Sequence, residues 1–101
     1  MENMNIVVKD ENYAKTFDIY GLIRPMTDAK HFIDALSICK SGDRAIINIH
    51  ESYSLGSSLI GYLIKMANNN SVNITLNINN EDLLKTLEEL RLQDIFKIQK
   101  L

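Results

Sequence analysis

The residues with the most chemistry within reach of one another lie in one run, Asn48-Ile49-His50-Glu51-Ser52-Tyr53-Ser54-Leu55-Gly56-Ser57-Ser58-Leu59. A β-branched apolar stretch leads into it and a helical pattern leads out, so it reads as a strand-to-helix junction. Gly56-Ser57-Ser58 opens the helix, with Ser57 or Ser58 expected as its N-cap. The first N–H groups of a helix have no partner within it, and the positive end of its dipole lies there. That spot favours an anion, a phosphate on serine included. The stretch Gly56 to Ile60 begins like the G-x-S-x-G elbow of serine hydrolases but ends in isoleucine, so the elbow is incomplete. Neither a P-loop nor a dinucleotide fingerprint is present. The remaining chemical use of the turn is as a small-ligand or nucleotide site. His31 and Cys39 sit eight residues apart on one predicted helix, about 12 Å along its axis, and cannot hold one ion together. They read, with His50, as exposed histidines and a small core thiol. No catalytic group, metal or cofactor is expected. Tyr53, Tyr62 and Met66 are candidates for an exposed apolar patch, which would mark a partner surface.

Composition narrows the function classes. A chain of 101 residues is the size of one domain, 1–101, and can bury a single core without staples. Its apolar fraction, 46%, is ordinary for a globular protein. A net charge of −2 argues against nucleic-acid binding, which needs clustered Lys and Arg. One cysteine excludes an internal disulfide. No stretch approaches the roughly 18 apolar residues of a membrane span, and Met1 to Asn5 does not resemble a secretory leader, so a cytoplasmic location without membrane insertion is expected.

The elements that must position the serine pair follow from periodicity. Asn5 to Lys9 and Thr16 to Ile23 read as strands of a hairpin turned at Glu11-Asn12, with Phe17, Ile19 and Ile23 on one side. Pro25 ends that pairing. Thr27 is the expected cap of a helix of three to four turns, carrying Ala29, Phe32, Ile33, Leu36 and Cys39 and ending near Ser41-Gly42. Arg44 to His50 is a central strand. The second helix buries Leu59, Ile60, Leu63, Ile64 and Ala67 and turns Tyr62, Lys65 and Met66 outward. Val72 to Ile78 alternates strictly, so one face, Asn73, Thr75 and Asn77, is wet. Asn79 or Asn80 caps a third helix striped with Leu83, Leu84, Leu87 and Leu90. Ile95 to Ile98 is a last strand, or a short helix leading into one. The expected core includes Phe32, Ile33, Leu36, Ile47, Ile49, Leu63, Ile74, Leu76, Leu83 and Leu87. The order β-β-α-β-α-β-α-(β) predicts an α/β fold: a mixed four- to five-stranded sheet with three or four helices mainly on one face.

This arrangement resembles the STAS domain (sulfate transporter and anti-sigma factor antagonist). Ile47-Asn48-Ile49 falls where that family ends a strand in L-N-L or L-D-L, and Ser57-Ser58 falls on the serine pair of its F-x-D-S-S-G-L loop, followed by Ile60-Gly61 for L-G. Tyr20-Gly21-Leu22-Ile23 is similar to its L-x-G-x-L strand, and Leu83 to Phe96 to its closing L-L-x-x-x-G-L-x-x-x-F segment. The chain departs at Gly56, where the family has Asp, and at Leu59, where it has Gly. Losing the Asp removes a carboxylate beside the acceptor; Leu59 puts a branched side chain where a partner backbone would approach. Arg24 stands where many members carry Asp, and Arg91 replaces the glycine that ends the third helix. The resemblance implies a non-enzymatic regulatory module that binds a protein partner: a kinase-type anti-sigma factor, or a transporter ATPase or other signalling assembly. It makes Ser58, with Ser57 beside it, the candidate phosphorylation site. The expected partner surface is Arg24, Tyr53, Ser54, Gly56, Ser57, Ser58, Leu59 and Tyr62. A homodimer stays open.

Overall fold

A computed structural model describes residues 3–101; Met1 and Glu2, part of the stretch read for a leader, lie outside the described residues. Five strands, β1 (Asn5–Glu11), β2 (Ala14–Tyr20), β3 (Arg44–Ile49), β4 (Asn73–Ile78) and β5 (Lys97–Lys100), form one sheet in chain order. β1 and β2 are an antiparallel hairpin, and β2 through β5 run parallel. Helices α1 (Ala29–Leu36), α2 (Ser57–Asn69) and α3 (Glu81–Glu89) make the three crossovers. Each crossover steps the same way across the sheet. Right-handed connections therefore lay all three helices on one face.

Strand alternation matches this two-layer build. Ala45, Ile47 and Ile49 of β3 and Ile74, Leu76 and Ile78 of β4 are buried with Phe17, Leu59, Leu63 and Leu87. The other face carries Asn48, Asn73, Thr75 and Asn77, exposed or half-buried, as the alternation of β4 predicts. Every expected core residue is buried except Ile33, which is half-buried against the core.

The differences lie at element ends. β2 stops at Tyr20 and not at Ile23, because Gly21 turns the chain with φ +81°; a Cβ there would sit 2.7 Å from the Asn3 carbonyl oxygen. α1 spans eight residues and ends at Leu36, short of Cys39, where the Ser37 hydroxyl donates to the Asp34 carbonyl. Asp28, not Thr27, precedes its first turn. Asn80, not Asn79, caps α3, its side-chain oxygen accepting from Leu83 N–H at 2.9 Å. Two apolar residues exchange roles. Met66, expected outside, is buried in the stripe Leu59–Leu63–Met66, while Leu90 is exposed where α3 ends. Arg91 then adopts φ +62°, the left-handed turn for which a glycine is usual, and swings Leu92 and Phe96 over the core in Leu90's place. The tail is a 3-10 turn, Leu92–Asp94, leading into β5.

Candidate functional site: the carboxyl end of β2 and β3

Parallel strands expose their carboxyl ends beside the helix heads, and in open sheets this is where ligands and partners bind. Here the loop after β2 (residues 21–28) and the loop after β3 (residues 50–56) meet beside the head of α2. Two side chains of the second loop tie them together. Glu51 Oε1 accepts from Gly21 N–H at 2.9 Å, and Ser52 Oγ accepts from Ile23 N–H at 3.1 Å while donating to the Ser54 carbonyl at 2.7 Å. Ser52 is only 2% exposed, so its hydroxyl satisfies groups that water cannot reach. Within the first loop, Asp28 accepts from Arg24 N–H at 2.8 Å and from its Nε at 3.0 Å. The Arg24 guanidinium, by these hydrogen bonds first, holds the Asp28 carboxyl below the usual range.

The helix head differs in detail from expectation. Gly56 occupies the N-cap position, with φ 78° and ψ 152°, and neither serine caps by its side chain among the described residues. That backbone conformation belongs essentially to glycine, so Gly56 is a geometric requirement of this loop. A Cβ at Gly56 would meet the Pro25 ring only at ordinary contact distance, 3.5 Å, so the backbone angle and not crowding asks for glycine. Any side chain at this position, an Asp included, would strain the backbone. Ser57 and Ser58 form the first turn of α2 and are both exposed, with the free N–H groups of that turn beneath them.

The other expected surface residues divide. Tyr53 is 64% exposed, and Ser54 lines the groove beside it with Leu22, Ile23, Arg24, Pro25 and Ser52. Leu59, expected to meet a partner, is fully buried and supports the serines from below. Tyr62 is half-buried against the core and Met66 is buried, so these two do not form a patch with Tyr53. Their places are taken by Met26, 94% exposed, and Pro25, which with Ala29 and Leu55 border the serine pair. Periodicity does not mark Met26, Glu51 or Ser52. Each is a single residue in a loop, and the partners of Glu51 and Ser52 lie about 30 positions away.

His50 points to the opposite, uncovered face. Its Nε2 lies 2.8 Å from Asp18 Oδ1, and its ring stacks on Tyr20 at a centroid distance of 4.4 Å. Asn48 donates to the same Asp18 oxygen, and Asn77 donates to Asn48, which continues a polar row across β2, β3 and β4. These donors, His50 first, pull the Asp18 carboxyl below its ordinary value. No hydrogen bond joins His50 to Ser58 among the described residues, so the two do not make a nucleophile and base. Nor do three His, Cys, Asp or Glu side chains gather as metal ligands among those residues. No helix among them is long and apolar enough to cross a membrane.

Comparison with known proteins bears on the fold. No protein-family model matches the sequence, and no curated protein sequence matches it. Among solved structures, an anti-sigma factor antagonist from Mycobacterium paratuberculosis superposes with a TM-score of 0.77 at 15% identity, covering 96% of this chain and 86% of its own. The likeness is one of fold. The element order agrees with it, and this chain therefore has the STAS-like α/β fold that the sequence predicts.

Proposed function

We propose that the chain is a non-enzymatic regulatory module that binds a protein partner through the head of α2 and the two loops beside it, and that phosphorylation of Ser58 or Ser57 switches the binding. The kind of partner this reading favours is a kinase-type anti-sigma factor. The observation that carries it is the exposed pair Ser57-Ser58 on the first turn of α2, bordered by exposed Met26 and Pro25. A phosphate on either serine would add close to two negative charges at a helix end that tolerates them, so the fold would persist while an apolar or acidic partner surface was repelled. The depression at the turn itself measures about 130 Å³. Small-ligand sites run to about 300–1,000 Å³, so a protein surface suits this turn better than a nucleotide.

The test uses the purified chain with a kinase-type anti-sigma factor and ATP. Phosphate is expected on Ser58 or Ser57 by mass spectrometry, and Ser58→Asp is expected to weaken the complex at least tenfold in a titration. Unchanged binding by Ser58→Asp would make the module constitutive. Absence of any complex would remove the partner class.

A further inference from the structure

The two edges of the sheet are built differently. β5 is four residues long and carries Lys97 and Lys100 at its ends, the usual protection of an exposed edge. β1 is seven residues long and places Ile6, Val7 and Val8 side by side at its centre, with Val7 51% and Val8 42% exposed. Its free hydrogen-bonding groups can be assigned. His50 N–H donates to the Ile19 carbonyl and Arg44 N–H to the Tyr13 carbonyl, so odd-numbered residues of β2 turn their backbone toward β3. Even-numbered ones turn toward β1. With the pairs Asn5–Tyr20, Val7–Asp18 and Lys9–Thr16, the N–H and C=O groups of Ile6, Val8 and Asp10 are left facing the open edge.

We infer that β1 pairs antiparallel with β1 of a second copy, about a two-fold axis at Val8, joining two sheets into one of ten strands. Outward-facing residues must oppose one another, which an axis at any residue from Ile6 to Asp10 allows. An axis at Lys9 would oppose the two Lys9 ammonium groups, and one at Val7 would carry Asp10 and Glu11 past Asn5, the first residue of β1. An axis at Asp10 would set the two Asp10 carboxylates opposite each other, which is destabilising. An axis at Ile6 would leave Asp10 and Glu11 beyond Asn3, outside the paired segment. The axis at Val8 uses all of β1. It pairs Val8 with Val8, Ile6 with Asp10, Val7 with Lys9 and Asn5 with Glu11, and no like charges stand opposite. The two Lys9 ammonium groups lie on a diagonal, but each already has Glu11 of its own strand at 4.0 Å. The contact is isologous and closed, so it stops at two chains. A single strand pair buries less than the roughly 1,200–2,000 Å² of a tight interface, so the dimer is weak and concentration-dependent.

Sedimentation equilibrium over a rising protein concentration tests this. The mass is expected to climb from 11.5 kDa toward twice that value. Val8→Lys places two ammonium groups on the axis and is expected to hold the chain monomeric with an unchanged circular dichroism spectrum. Should Val8→Lys fail to fold, cysteine cross-linking keeps the proposal open to refutation. In a Cys39→Ser background, oxidised Val8→Cys is expected to link into dimers, because hydrogen-bonded antiparallel pairs hold their Cα atoms about 5.5 Å apart. Asp10→Cys in the same background is expected not to link. The proposal is overturned by a wild-type chain that stays monomeric throughout, even if it takes up an extended peptide instead. It is equally overturned by a dimer that survives Val8→Lys, or by linkage at Asp10→Cys in preference to Val8→Cys. None of these outcomes involves Ser57 or Ser58.

Discussion

The two ends of the parallel strands are both closed by polar side chains, but with different chemistry. At the amino end, Lys15 is buried and donates to Asp43 at 2.8 Å and to the Asn12 carbonyl at 3.0 Å, with Asp10 at 3.4 Å, while Asp43 also accepts from Lys40 N–H. This ion pair clasps the hairpin to the loop before β3. At the carboxyl end the tie between loops is a buried hydroxyl, Ser52, and one carboxylate, Glu51, and the outer surface carries Met26, Pro25, Tyr53 and two free serines. The amino end turns its charges inward on one another. The carboxyl end leaves hydroxyls and apolar groups outside its tied loop pair, beside the exposed Arg24 that is paired with Asp28. A surface that meets a partner needs its backbone groups satisfied internally and its contact groups unengaged, and the carboxyl end has this property.

Substitutions can break this contrast, beginning with the largest expected effect. Leu59→Ala removes the buried support under the serines and is expected to cost about 2–5 kcal/mol in urea titration. A loss below about 1 kcal/mol would mean that the head of α2 does not rest on the core. Lys15→Met leaves Asp43 buried without its counter-charge. It is expected to lower the urea midpoint further than Ser52→Ala does; the reverse order would mean that the carboxyl end is the more tightly closed. Ser52→Ala strands the Ile23 N–H and is expected to cost about 1–3 kcal/mol. A fast-exchanging Ile23 amide in that variant, with the amino end still protected, would sharpen the assignment of Ser52 as the loop tie.

The pH dependence separates the clasp from the open face. Asp43 is held below the usual carboxylate range by Lys15 first, and Asp18 by His50 first. Each stabilises the fold fully above the unfolded carboxylate value of about 3.9, and that stabilisation is lost as pH falls through the lower folded value. Lys15, raised chiefly by Asp43, contributes stability that is complete below about 10.5 and lost as pH rises through its folded value. Asp18→Asn should therefore flatten the acid limb of stability against pH and leave the alkaline limb unchanged. Movement of the alkaline limb would show that the two networks are linked. Smallest of all is Ser58→Asp, expected to shift stability within about 0.5 kcal/mol, since the residue is exposed. Unfolding by that change would place Ser58 in the structure's support and not on its surface.

Much of the fold is legible before any coordinates. The strict alternation of Val72 to Ile78 identifies β4 and its wet face, and Asn80, Glu81 and Asp82 before the leucines of α3 mark a helix start. What periodicity misjudges are ends and edges. β2 stops at Gly21 through a positive φ, and Asp28 engages Arg24 and does not cap α1. The site is half legible. A strand-to-helix junction with two serines is visible in the chain, but Ser52 and Glu51 act on Ile23 and Gly21, and nothing local in a polar loop distinguishes them.

The sequence by itself determined what is local: which residues form strands or helices, their order, and hence helices on one face and serines at a helix head. Periods of 2 and 3.6 are carried by neighbours along the chain, so they can be read there. The tertiary structure alone decided which apolar side chains end outside, Leu90 and not Met66, Met26 and not Tyr62. It also decided that Asp18, Asn48, His50 and Asn77 share one polar row. Those contacts join residues about 30 positions apart through strand register. A slip of one residue would send each side chain to the other face, so only the packed sheet settles them.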